Sequence, residues 1–208
     1  MTIAGIDVSN HQGEIDWNAV AQTGINFAFV KATEGGTYQD KFYARNVSQA
    51  RAAGILAGPY HFFRPRGPVN LQVENFLSVL NSAEATDLPP ALDLETPREW
   101  EHFSFSQRIN LITEFISSVK SKLHRTPIIY MSASFSNEVL REEAVMLLNY
   151  SLWVAHYTNA SNPQLPAPWT KWTFWQHTDK GTLRGIEGKV DLNWFNGSLK
   201  ELQTLSTQ

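Results

Sequence analysis

Leu88-Pro89-Pro90-Ala91-Leu92-Asp93-Leu94-Glu95 is the stretch on which the reading of this chain turns. The paired prolines force an extended entry, and on a strand residues i and i+2 share a face. Asp93 and Glu95 then point one way while Leu92 and Leu94 enter apolar packing. Like charges at that separation push one carboxyl to keep its proton near neutral pH, which is what general acid catalysis needs. A lone Asp-x-Glu is nevertheless more often a solvated strand end than a perturbed site. The rest of the chain has to decide between the two.

Working outward, short apolar runs alternate with helical stripes. Ile3 to Val8 reads as a buried strand that delivers Asp7 at its C-terminal end. Asp16 is placed to cap a short helix through Val20, closed by Gly24, and Phe27 to Lys31 follows as a second strand. Tyr43, Val47 and Ala50 mark a helix face ahead of the strand Ile55 to Tyr60. Val73, Phe76, Leu77 and Leu80 mark the helix before the Asp93 strand. Ile109, Ile112, Phe115, Ile116, Val119 and Leu123 form the clearest stripe, leading to the strand Ile128 to Met131, and a fifth helix is expected over Asn137 to Leu148.

Beyond Leu152 the helical stripes stop. Leu152 to Ala155, Trp172 to Gln176 and Val190 to Leu192 read as strands joined by segments rich in Pro, Asn, Thr and Gly. Ser198 and Glu201 form a capping box for a terminal helix through Leu205. The expected fold class is α/β: an irregular TIM-like β/α barrel of parallel strands, about five βα units followed by three strands with few helices. A single domain over residues 1–208 is expected, with no separate wall-binding module.

Seventeen Lys plus Arg against twenty Asp plus Glu, with no basic cluster, argue against a nucleic-acid partner. No apolar run approaches the ~20 residues of a membrane span, so no membrane insertion is expected. Met1 leads almost directly into a strand-like run, so no N-terminal signal peptide is expected in this chain. The absence of cysteine removes disulfides, zinc thiolates and thiol nucleophiles together. His11, His61, His156 and His177 match no metal-ligand spacing, and neither a metal nor another cofactor is expected.

In a barrel the βα loops at the C-terminal strand ends hold the functional groups. Asp7 ends strand one, Asp93 and Glu95 end strand four, and Asp191 lies on strand eight, which closes beside strand one. Four carboxyls at one mouth are far rarer than one Asp-x-Glu. Tyr60, Tyr130, Trp153, Tyr157 and Trp175 fall at neighbouring strand ends, and flat rings with polar tips suit a sugar.

These residues resemble the glycoside hydrolase family 25 lysozymes, the Chalaropsis-type N,O-diacetylmuramidases. The likeness runs through Gly5-Ile6-Asp7-Val8-Ser9, His11-Gln12-Gly13, Asp16-Trp17, Phe29-Val30-Lys31-Ala32-Thr33-Glu34-Gly35, and Tyr38, Asp40, Phe42 and Asn46. It continues through Gly58, Tyr60-His61-Phe62, Leu92-Asp93-Leu94-Glu95, Ile129-Tyr130, Leu152-Trp153-Val154-Ala155, Tyr157, Trp175-Gln176 and Val190-Asp191-Leu192-Asn193. It implies a muramidase acting on bacterial peptidoglycan, as a monomer secreted or delivered to the cell wall or periplasm. Glu95 would be the general acid, Asp93 its assistant, and Asp7 and Asp191 the remaining acids of the mouth. Tyr60, Tyr130, Trp153, Tyr157, Glu34 and Gln176 would contact substrate. The second step would run by direct displacement, by a covalent intermediate, or by the substrate's own 2-acetamido oxygen with Asp93 assisting; the last is favoured because the two acids lie two residues apart. One departure is His177, where the family often has Tyr. Competing readings are another acetamido-sugar hydrolase and a carbohydrate-binding barrel without turnover.

Overall fold

A computed structural model describes residues 2–82 and 86–205. Nine strands form one sheet: β1 (Thr2–Val8), β2 (Phe27–Glu34), β3 (Tyr38–Gln39), β4 (Leu56–Phe62), β5 (Ala91–Asp93), β6 (Ile128–Ser132), β7 (Leu152–Ala155), β8 (Phe174–Gly181) and β9 (Val190–Asn196). Their order is β1-β9-β8-β7-β6-β5-β4-β2-β3, and β1 also pairs with β2. Eight strands therefore close on themselves, and β3 hangs on β2 as a short antiparallel flap.

The barrel is α/β and has few helices, as expected. Helices α1 (Trp17–Ala21), α2 (Tyr43–Ala52), α3 (Val69–Ser82) and α4 (Phe105–Leu123) cover the first half. Asp16 caps α1, its carboxylate accepting the Ala19 amide at 3.0 Å. Three differences stand out. The strand β9 runs antiparallel to both neighbours, where a parallel eighth strand was expected. The seventh strand begins at Phe174 rather than Trp172 and continues to Gly181, long enough to pair with β9 as a ribbon. The helix expected over Asn137 to Leu148 is broken into α5 (Ala133–Phe135), a π turn (Ser136–Leu140) and a 3-10 stretch (Arg141–Leu147), with Arg141 at φ 52°. A non-glycine residue in that conformation cannot continue a right-handed helix. The terminal helix α6 (Leu199–Leu205) starts at the predicted capping box, with Glu201 accepting the Ser198 amide at 2.7 Å.

Strand alternation splits the core in two. Outward residues such as Ala28, Val30, Ile129, Met131, Val154 and Trp175 pack against the helices and outer loops. Inward residues Phe27, Phe29, Ala91, Ile128, Trp153, Phe174 and Phe195 fill the barrel, and Leu202 of α6 joins them. The filling is an aromatic stack: Phe29 lies on Trp153 at 4.4 Å, and Phe174 meets Phe27 at 5.2 Å and Phe195 at 5.1 Å. Gly5 makes room for it, since a Cβ there would stand 2.3 Å from the Phe27 ring. Adding one carbon to a packed interior typically costs about 1–3 kcal/mol. Gly5→Ala is expected to lower the denaturant midpoint by that order, and Phe27→Leu in the same chain to recover part of it; an unchanged Gly5→Ala midpoint would remove Gly5 from this packing.

Candidate active site

Two residues above the aromatic floor, the inward positions turn polar. Gly5 is followed on its face by Asp7, Phe29 by Lys31, Gly58 by Tyr60, Ala91 by Asp93, Ile128 by Tyr130 and Phe174 by Gln176. Running the other way, β9 reaches the same layer from Phe195 through Asn193 to Asp191. Its antiparallel register sets Asp191 directly opposite Asp7. Asp191 thus arrives at the mouth from the start of its strand, whereas Asp7 and Asp93 arrive at the ends of theirs.

The resulting cleft, about 250 Å³, is lined by Asp7, Asp93, Glu95 and Asp191 together with Tyr60, Tyr130, Trp153, Tyr157 and Gln176. Lys31, Phe62, Ser9, His11 and Gln12 complete much of its wall. All four predicted acids and five of the six predicted substrate contacts therefore meet in one place. Glu34 is the sixth and lies outside this lining; it binds Lys31 at 2.6 Å and the Arg64 guanidinium. Trp175 faces the outer core and donates its indole N–H to the His156 carbonyl at 2.8 Å. His177 is outside the lining as well and stacks on Trp194 at 5.1 Å, so it is a packing residue on the outer side of the β8–β9 ribbon.

Asp7 is the hub. Its Oδ2 accepts the Gln176 amide at 2.9 Å and the Asn193 amide at 2.7 Å. Gln176 Oε1 in turn accepts the Tyr130 and Tyr157 hydroxyls, each at 2.8 Å, and Asn193 Oδ1 accepts the Trp153 indole at 2.7 Å. Every donor in this relay points toward Asp7, which fixes both amides in one orientation. Asn193 and Lys31 entered the sequence reading only within the family motifs and not as site residues, although the same-face step of two residues from Phe195 and Phe29 leads to them.

Burial raises the pKa of all four acids. Desolvation is the largest cause for Asp7, opposed by its bonds to Gln176, Asn193 and Asp191. Desolvation and the adjacent Asp7 charge lift Asp191 to about 8, so this pair shares a proton at neutral pH. Asp93 is pushed well above the usual range by desolvation and then by the Glu95 charge, and its Oδ1 is buried without a hydrogen-bond partner. Glu95 reaches solvent at the mouth yet is also raised by desolvation, against the pull of Lys31 and of hydrogen bonds with Asp93 and Tyr130. The cleft thus holds two pairs of acids, each one able to keep a proton where isolated carboxylic acids have lost theirs.

The Glu95 backbone is held as firmly as its side chain. Its carbonyl accepts the Trp100 indole at 3.0 Å. Thr96, next in sequence, sits at φ 57°, a strained choice for a β-branched residue. Arg64 bridges Glu34 to Glu99 of the following 3-10 turn (Pro97–Trp100) and lies 4.5 Å over the Phe62 ring, with Lys31 4.8 Å from that ring. No cluster of His, Cys, Asp and Glu among the described residues has the geometry to hold a metal ion. His61 is an interior group, bonded to Thr33 at 2.7 Å and to Gln72 at 3.1 Å and stacked on Phe115, and burial lowers its pKa to about 4.

The family model for glycosyl hydrolases family 25 matches residues 6–186. The chain belongs to that family. Among family 25 relatives, it is 35% identical to lysozyme M1 of Streptomyces globisporus over 98% of this chain and 71% of that protein. It is 25% identical to the N,O-diacetylmuramidase of Chalaropsis sp over 99% of this chain and 100% of that one. The crystal structure of the bacterial lysozyme from Streptomyces coelicolor superposes with a TM-score of 0.89 at 35% identity, covering 98% of this chain and 96% of the other. The sequence resemblance and the fold of this family 25 chain therefore agree.

An acid whose folded pKa is raised binds its proton more tightly when folded. Its contribution to stability is full below the unfolded value near 3.8 and is lost as pH rises through the folded value, for Asp191 about 8. Asp7 is shifted in the same direction. The unfolding midpoint of the wild type is expected to fall between pH 4 and 8 relative to Asp191→Asn; parallel pH profiles for the two proteins would show that the pair shares no proton.

Proposed function

We propose that the chain is a muramidase that hydrolyses the β-1,4 bond from N-acetylmuramic acid to N-acetylglucosamine in bacterial peptidoglycan. The observation that carries this reading is the convergence of four carboxyl groups, Asp7, Asp93, Glu95 and Asp191, in one aromatic-walled cleft. The names of the relatives, lysozyme M1 and N,O-diacetylmuramidase, support the substrate class. No helix among the described residues is long and apolar enough to cross a membrane.

In this reading Glu95, the acid at the mouth, gives its proton to the glycosidic oxygen as that oxygen leaves C1 of the muramic acid residue. Asp93, buried beneath it, orients the 2-acetamido group and takes up charge from its N–H while the acetamido oxygen bonds to C1. Water then adds to C1, Glu95 takes the water proton, and the acetamido oxygen departs with its N–H restored. The positive charge that builds on the sugar faces Asp7, whose Oδ2 is oriented by the Gln176 and Asn193 amides. Tyr60, Tyr130 and Trp153 form the wall against which that sugar stacks.

Digestion of purified peptidoglycan with mass spectrometry of the reduced products tests the bond. Wild type is expected to release fragments with reducing-end N-acetylmuramic acid, and Glu95→Gln to slow release by about 10²–10⁴-fold. Fragments ending in N-acetylglucosamine would place cleavage at the other linkage, and no release from wild type would favour a sugar-binding barrel. Acetamido participation retains configuration, so proton NMR of the first product is expected to show the β anomer. An initial α anomer would indicate direct displacement by water.

A further inference from the structure

Glu95 lies two residues beyond the end of β5, outside the register that pairs β5 with β6, so its place is set by the turn that follows it. That turn, Pro97–Trp100, is anchored from inside and from outside. Inside, the fully buried Trp100 stacks on Phe63 at 5.7 Å and gives its indole N–H to the Glu95 carbonyl. Outside, the Glu99 carboxylate is bound by Arg64, while the Glu99 amide closes the turn on the Thr96 carbonyl at 2.9 Å. Arg64 is itself firmly seated. The fully buried Gln72 accepts the Arg64 amide at 2.9 Å and donates to the Arg64 carbonyl at 2.8 Å. The Arg64 stem passes over Gly35, where a Cβ would stand 3.3 Å from its Cγ, and the guanidinium rests on the Phe62 ring.

The same guanidinium reaches the cleft by a second route. Its Nε donates to Glu34 Oε1 at 3.0 Å, while the buried Lys31 ammonium holds Glu34 Oε2 at 2.6 Å. Lys31 lines the cleft with Asp93 and Glu95, whereas Glu34, Arg64 and Glu99 do not. Charge therefore alternates along Lys31, Glu34, Arg64 and Glu99, and the last three are only partly buried. Ion pairs at that exposure contribute little stability by themselves. In an alternating row each charge is offset by its neighbours, so the Lys31 charge felt in the cleft depends on the two charges beyond Glu34.

We propose that Arg64 and Glu99 are positioning residues for the general acid: they hold the turn that carries Glu95 and set how much of the Lys31 charge reaches it. The inference rests on the muramidase reading of Glu95 and deepens it. Around Glu95 stand Asp7 of β1, Lys31 of β2, Asp93 beside it, Tyr130 of β6, Tyr157 after β7 and Asp191 of β9. Lys31 supplies the positive charge of this set and favours ionised Glu95. Removing the Arg64 charge leaves Glu34 to offset Lys31 alone, which favours protonated Glu95. Removing the Glu99 charge frees Arg64 for Glu34, which favours ionised Glu95.

The two variants therefore move one group in opposite directions. On soluble glycan strands, Arg64→Gln is expected to shift the alkaline limb of kcat/KM, where the acid form of Glu95 is lost, upward by about 0.3–0.5 pH units. Glu99→Gln is expected to shift it downward by a similar amount. Both are expected to lower kcat by about two- to tenfold through the loosened turn, with KM near wild type because neither side chain lines the cleft. Arg64→Lys keeps the charge without the fork and is expected to restore the limb but not the full kcat. Limbs that stay in place or move together would overturn the inference, and so would losses carried by KM, which report a damaged cleft or a substrate contact. Glu95→Gln is measured beside them. If it cleaves as fast as wild type, or if wild type cleaves no glycan strand, the muramidase reading falls; a slow Glu95→Gln with unmoved limbs in the other variants removes the positioning role alone.

Discussion

The antiparallel seating of β9 between β1 and β8 is the constraint on which the rest of the molecule depends. It closes the barrel without a further crossover helix, and its register places Asp191 opposite Asp7 and Asn193 opposite Gly5. Asn193 then sits where it can hold Asp7 from one side while Gln176 of β8 holds it from the other. A slip of one residue would turn Asp191 and Asn193 outward and bring Leu192 and Trp194 into the acidic layer. Closure of the fold and assembly of the site are thus one event.

Beneath that layer the aromatic floor does two things. It fills the barrel beneath the acids, where Asn193 is paired with both Asp7 and the Trp153 indole, and it keeps water away from their inner side. Desolvation is accordingly the leading cause of every raised carboxyl pKa in the cleft. A charged pair would be costly there, and sharing a proton within each pair is the cheaper state. Lys31 moderates the shift from within the same layer, lowering both Asp93 and Glu95. Through Glu34 and Arg64 its charge is linked to Glu99, one turn beyond the acid it influences.

Several residues of the family resemblance hold the scaffold together. Asp40 accepts the Asn10 amide at 2.8 Å and the Phe42 amide at 2.9 Å, tying the loop after β1 to the segment before α2. Asn46 accepts the Trp17 indole at 3.3 Å and so joins α2 to α1. Glu34, expected to contact substrate, is occupied by two cations. A motif residue can therefore mark a joint of the scaffold as readily as a site.

The sequence by itself determined the βα rhythm through Met131, the caps at Asp16 and Ser198, and the four acids, because helical stripes, strand alternation and capping chemistry are local. It also placed Tyr60, Tyr130, Trp153 and Tyr157 at one mouth, since each lies near a strand end, whereas Gln176 came only with the family resemblance. Tertiary structure alone decided the direction of β9, the broken helix after Ala133, the outward turn of Trp175 and the pairing of Glu34 with Arg64. Those features depend on which strand a segment meets and which charge lies across the sheet. Such long-range partners leave no periodic trace along the chain, so only the closed barrel reveals them.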